Sequence, residues 1–166
     1  MPASATVASP KTMATVNASY LQTLLGYNAR RVSLQVIELF NENMAAYDLS
    51  PVDFSVLSLV HHNPGITPRQ LCSTLSLLPP NLVGKSSRME KRELLTRNPH
   101  PDDGRAIGLH LTTAGTQMMQ KAEATATQLE LDVSSKLSAA ETKTLLRLLQ
   151  KVYLQRFLVL FRTLSQ

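Results

Sequence analysis

The sequence predicts a mostly α-helical fold with one small β-hairpin, in which longer helices at the two ends flank a central domain. Three observations predict it. Apolar residues recur at spacings of three and four along most of the chain. Helix-start signatures, a Ser or Thr followed three residues later by Asp, Gln or Glu, occur at Ser50, Thr67 and Ser138. The turn-rich run 99–104 separates two short segments that read as strands.

The first eighteen residues have small polar side chains and two prolines, and read as a flexible tail. From Tyr20, the residues Leu21, Leu24, Leu25, Asn28, Val32, Val36, Leu39 and Phe40 trace one stripe of a single long helix. At 48–53 a new helix starts: Ser50 is the cap, Pro51 takes the first helical position, and Asp53 supplies the acid of a capping box. Phe54, Val56, Leu57 and Val60 follow, and the helix stops at His62-Asn63-Pro64-Gly65.

Thr67-Pro68-Arg69-Gln70 repeats that grammar and opens a short helix with Leu71 and Leu75 inward. Leu78-Pro79-Pro80 forces a turn, and a fourth helix is expected from Asn81 to about Arg92, with Leu82 and Met89 on one face. Residues 94–98 and 106–111 read as strands joined by an extended loop over 99–104. Thr112 caps a long helix to about Ser134, with Met118 and Met119 in the core. The Ser138-Ala139-Ala140-Glu141 box opens a last helix to about Leu164.

Composition fits one domain of 166 residues, 43% hydrophobic, with an aliphatic core because aromatics are scarce and Trp is absent. A formal charge of +5 favours a polyanionic partner, though only modestly. The one cysteine, Cys72, excludes an intramolecular disulfide and a Cys-based zinc cluster, and a reducing cytosol is the expected compartment. Residues 1–17 lack the apolar run of a signal peptide, and the run 157–161 is too short to span a bilayer, so a cytoplasmic protein is expected. No P-loop, dinucleotide glycine pattern, nucleophile elbow or metal-ligand triad appears, so no enzyme, cofactor or metal site is expected.

Helix, helix, short turn, helix, hairpin is the outline of a winged helix-turn-helix. The helix opened by Thr67 would brace the one after Pro80, whose N-terminal end would enter a DNA major groove of matching width. Asn81 suits adenine, which its amide can pair bidentately, while Lys85 and Arg88 suit phosphates and groove walls. The hairpin would reach the adjacent minor groove with Arg105. Charge along this stretch is mixed: from Gly84 to Arg105 six basic residues face four acidic ones. The surplus therefore depends on placement, and a pairing of Asp103 with Arg88 or Arg97 would brace the hairpin.

The run 88–97 (Arg-Met-Glu-Lys-Arg-Glu-Leu-Leu-Thr-Arg), then Asp103-Gly104-Arg105-Ala106, then 109–115 (Leu-His-Leu-Thr-Thr-Ala-Gly), resembles the MarR family of multiple-antibiotic-resistance regulators. The resemblance covers roughly 21–153. It implies a homodimer joined through terminal helices, two winged domains reading a pseudo-palindromic double-stranded operator, and release by a small aromatic or anionic effector. The implied parts are an N-terminal dimerisation helix over 19–49, the DNA-binding domain over 50–112 and C-terminal dimerisation helices over 113–166. The implied DNA-contacting set is Thr67, Arg69, Pro80, Asn81, Lys85, Arg88, Arg97, Asp103 and Arg105. An effector pocket would involve Tyr20, Tyr27, Arg30, Arg31 and His61.

Three residues depart from the family pattern. Glu93 replaces a glycine at a left-handed helix end, Gly84 sits inside the stretch 78–88 that the resemblance makes the recognition helix, and Ser86 takes a position often apolar. Two other functions are compatible with the same fold: an oxidation sensor built on Cys72, and a protein-interaction module that has lost DNA binding. Cys72 also reads simply as a small core hydrophobe, and His61, His62, His100 and His110 show no helical pairing that suits zinc.

Overall fold

The computed structural model describes the backbone over residues 16–100 and 103–163, and the side chains of these except at 100, 103–105 and 155–163. Helix predominates. The elements are α1 (Ser19–Gln22), α2 (Leu25–Met44), a 3-10 turn (Ala45–Tyr47), α3 (Pro51–His62), α4 (Pro68–Leu75), α5 (Pro79–Lys91), β1 (Leu95–His100), β2 (Asp103–Leu111), α6 (Thr113–Val133) and α7 (Ala139–Thr163). Contacts divide the chain into one unit over Met1–Gln35 and another over Val36–Gln166. The expected tail lies outside the described residues up to position 15.

Within the first unit the expected single helix is broken at Thr23 and Leu24. Side chains compete there for the backbone. The Thr23 hydroxyl donates to the Tyr20 carbonyl (2.7 Å), and the Asn28 amide donates to the carbonyls of Gln22 and Leu24 (2.8 Å each). Such local bonds offer carbonyls an alternative to the helical ladder. Leu21, Leu24, Leu25, Val32 and Leu34 remain exposed in the isolated chain.

The second unit holds the core. Met44, Val56, Leu57, Val60, Leu71, Leu82, Met89, Leu109, Met119 and Ala122 are all almost wholly buried, with Met118 and Cys72 packed against them. The capping boxes at Ser50–Asp53, Thr67–Gln70 and Ser138–Glu141 all form, and the Thr112 hydroxyl accepts the Gly115 N–H. α5 begins two residues earlier than expected, because both prolines are accommodated in its first turn, where no N–H is needed.

The hairpin is longer than its turn residues suggested. β1 and β2 pair antiparallel from Leu95 with Leu111 to His100 with Asp103, with an irregularity at Pro99/His100. A third backbone segment joins at its inner end: Gly65 N–H donates to Leu109 O (2.9 Å), and Leu109 N–H to Ile66 O (3.0 Å). This approach requires Gly108, since a Cβ there would lie 2.7 Å from the Gly65 carbonyl oxygen. Gly115 is as constrained, because its Cβ would fall 2.1 Å from the Leu94 carbonyl oxygen.

Glu93 does adopt the left-handed conformation, at φ +56°. Leu94 N–H donates to Met89 O (3.0 Å) and Glu93 N–H to Glu90 O (2.9 Å), the paired bonds of a Schellman ending for α5. Leu94 and Met89, which this motif brings together, are both buried.

Candidate nucleic-acid interface

The prospective reading surface starts from α5 and its supports. Leu82, Ser86 and Met89 face inward, whereas Pro79, Pro80, Asn81, Val83, Gly84 and Arg88 are exposed. α4 packs beside α5, and its own first turn is closed by the Thr67–Gln70 box. The Thr67 hydroxyl is occupied there, donating to Gln70 Oε1 (2.8 Å) and accepting from the Gln70 N–H.

The orientation of α5 is fixed by ions. Asp53, only 2% exposed, receives Lys85 Nζ on one carboxylate oxygen (3.0 Å) and Arg88 Nη2 on the other (2.5 Å). It also closes the α3 capping box, accepting the Ser50 hydroxyl (2.6 Å) and the Ser50 N–H (3.2 Å). Burial is the largest single influence on its carboxyl and pushes the pKa up. Hydrogen bonds from the Ser50 hydroxyl, Lys85 and the Ser50 N–H, with the Lys85 charge, together outweigh it and hold the group below the usual carboxylate range.

Two further anchors act on the same helix. Arg92 donates to the carbonyls of Tyr47 (2.7 Å) and Asp48 (2.8 Å). Arg97 on β1 pairs with Glu90 and donates to the Ser86 hydroxyl (2.9 Å), which itself donates to Val83 O (3.1 Å). The polar Ser86, unusual in a buried face, is thus fully employed in holding the hairpin to α5.

The sequence-predicted residues fall out as follows. Pro80, Asn81, Lys85 and Arg88 lie on α5, Thr67 and Arg69 at the start of α4, and Arg97 on the hairpin. Arg69 is exposed and makes no ion pair among the described residues. The acids found at Arg88 and Arg97 are Asp53 and Glu90; the side chains of Asp103 and Arg105, on β2, lie outside the described residues. Asp53, Ser86, Glu90 and Arg92 are the positioning residues whose role sequence reasoning missed; Asp53 carried a signal as a capping acid, and Ser86 as a polar residue at a position often apolar. From Phe54 through Met89 the chain has no Asp or Glu at all, while Arg69, Lys85 and Arg88 fall within it.

Of the expected effector residues, Tyr20, Tyr27, Arg30 and Arg31 belong to the first unit, where Tyr27 is half-buried and the others are exposed. His61, in the second unit, lines a cavity of about 320 Å³ with Val60, His110, Thr116 and Gln120. Its neighbour His62 turns to Glu123 on α6, whose carboxylate also accepts the Ser58 hydroxyl. No group of three or more metal-ligating side chains occurs among the described residues.

Residues 49–107 match the model of the MarR family. The chain is 30% identical over 129 residues to the multiple antibiotic resistance protein MarR of Escherichia coli, covering 77% of this chain and 90% of that one. This chain belongs to the MarR family. It is also 27% identical over 132 residues to a protein of Thauera aromatica described as a putative transcriptional regulatory protein for the hcr operon, covering 79% and 80% of the two chains. A solved structure of the transcriptional repressor CouR bound to a 23-mer DNA duplex superposes with a TM-score of 0.78 at 33% identity, over 84% of this chain and 99% of that one. The protein is accordingly a transcriptional regulator of MarR type and not an enzyme. The helical fold with its two-stranded hairpin is the winged helix of that family.

Proposed function

We propose that this MarR-family regulator is a homodimeric repressor that holds a pseudo-palindromic operator in the absence of effector and releases it when a small aromatic or anionic molecule binds. The observation that carries the reading is α5 itself: the second helix of a helix-turn-helix that has no acid from Pro68 through Met89, exposed at its N-terminal end and pinned by Asp53, Arg92 and Arg97. The likeness to a repressor bound to duplex DNA supports it. Arg69 contacts phosphate from the start of α4, Asn81 reads a base edge, and Arg105 reaches the minor groove from the hairpin.

Dimerisation is supported by apolar surface that a lone chain leaves wet. On α7 alone Leu145, Leu146, Leu148, Leu149, Val152, Tyr153 and Leu154 are exposed. A helix apolar on so many sides is stable when a second copy covers it. Two-fold symmetry then places two recognition helices on successive turns of one duplex face.

Effector release is supported by the layout of α3. Its first turn holds α5 through Asp53, and its last turn contributes His61 to the cavity and His62 to the α6 contact. A ligand in that cavity that displaces α3 displaces α5, and the weakening is reciprocal, typically about 1–3 kcal/mol.

The test uses the full chain with duplexes selected from a random pool. Expected are a dimer at micromolar concentration, a bound two-fold-related site, and weaker binding in Arg105→Ala. Benzoate serves as effector probe, with His61→Trp, which narrows the cavity, expected to retain operator binding and weaken the response. A monomer indifferent to every duplex overturns the proposal.

A further inference from the structure

The end of α5 that enters a groove is chemically unusual. Its first two residues are prolines and have no N–H, and the next two N–H groups, of Asn81 and Leu82, both point to the Leu78 carbonyl (3.0 and 3.3 Å). No hydroxyl or carboxylate caps the helix. This turn therefore has no spare N–H with which to grip a phosphate, the contact that helix N-termini usually make.

Charge is absent there too. The first cation along the helix, Lys85, is a turn further on and is bound to Asp53, as is Arg88. What the end presents instead is apolar: Leu78 is 69% and Val83 57% exposed, beside exposed Pro79 and Pro80, with Asn81 as the one polar side chain. Gly84 adds no bulk, since a Cβ there would meet nothing within 4 Å.

In the major groove one base feature is apolar, the C5-methyl group of thymine. Guanine is read mainly by Arg or Lys donating to O6 and N7, and this end has neither. Taking the DNA-binding reading above as its basis, we infer that Val83 is a specificity-determining residue. With Leu78 and Pro80 it seats thymine methyls, while Asn81 takes an adjacent adenine. The operator half-site under α5 is therefore an A·T-rich, methyl-lined segment, and discrimination against G·C comes from desolvating its polar groove edge against apolar side chains.

The test again uses the full chain. Duplexes are selected from a random pool, and the half-site thymines are then replaced one at a time by deoxyuridine, which removes only the methyl. Wild-type protein is expected to lose roughly four-fold in affinity at each contacted position, the worth of about one buried methyl group. Val83→Ser, a change at an exposed position, is expected to lose that sensitivity at one position or more while still binding the duplex. Selected half-sites with a G·C core, or deoxyuridine duplexes that bind like the thymine ones, overturn the inference and leave operator binding standing. Failure to select any duplex overturns operator binding and the inference with it. A Val83→Ser protein as methyl-sensitive as wild type removes Val83 from the role.

Discussion

Asp53 is the residue on which the geometry of the reading surface turns, and replacing it with Asn isolates its charge. Asn retains the size and an oxygen able to cap α3, so the loss is confined to the ion pairs with Lys85 and Arg88. Breaking a fully buried pair costs about 3–5 kcal/mol, and an exposed pair is worth less than about 1. Asp53 is buried but Lys85 and Arg88 are 29% and 47% exposed, so water recovers part of their solvation. A value of about 2 kcal/mol lies between these limits. It corresponds to a fall in Tm of roughly 4–8 °C for a chain of this size, at fixed protomer concentration. The pH dependence has a definite sign. The folded pKa is lowered, so the ionised carboxylate stabilises the protein fully above its ordinary value near 3.8 and progressively less as pH falls through the folded value. Urea unfolding of wild type and Asp53→Asn is therefore expected to differ by about 2 kcal/mol at pH 7, the gap narrowing only below about pH 4. A gap under about 0.5 kcal/mol at pH 7, or one that persists unchanged in acid, refutes the role given to Asp53.

Three other substitutions test the fold around the reading surface. Glu93→Gly relieves a left-handed residue at φ +56° and is expected to stabilise by about 1 kcal/mol, read as a higher urea midpoint with unchanged m. Gly84→Ala places a methyl in open space on α5 and gains helix propensity, raising stability by up to about 1 kcal/mol in thermal unfolding. Gly115→Ala drives a Cβ into the Leu94 carbonyl and is expected to cost about 3 kcal/mol or to prevent folding; a Tm within a degree of wild type contradicts that contact.

Local grammar made most of the helices legible. Ser50, Thr67, Thr112 and Ser138 announce their helices because a cap and its partner lie within one turn, where spacing alone fixes the geometry. The break at Thr23 was hidden because the same apolar stripe continues across it, and only the side-chain bonds of Thr23 and Asn28 give it away. The site was half legible for a related reason. Lys85, Arg88 and Arg97 could be recognised as cations of a DNA-binding region, and a pairing of Arg88 or Arg97 was expected with Asp103, but the partners found, Asp53 and Glu90, are chosen by packing. Asp53 is 32 residues from Lys85 in sequence, and no periodicity links them. The hairpin was read too short because Pro99 and Gly104 are turn residues, yet the ladder reaches past Pro99 to His100 and Asp103.

That three cations are engaged changes how affinity and specificity divide across the molecule. Counterion release rewards cations free to meet phosphate, with log K falling by about 0.9 per neutralised phosphate as log salt rises. Lys85 and Arg88 bring two positive charges to α5 but share one buried carboxylate, whereas Arg69, exposed at the start of α4, pairs with no carboxylate among the described residues. In a dimer, Arg69→Ala is thus expected to shrink the slope by about two, equally for operator and for unrelated duplex. Val83→Ser bears no charge change and is expected to leave the slope alone while lowering the preference for operator over unrelated duplex. Measured side by side across a salt series, the two variants separate the contacts that hold DNA from those that choose it. If Val83→Ser alters the slope and Arg69→Ala does not, α5 binds through charge after all, and the anchoring by Asp53 is not maintained in the complex.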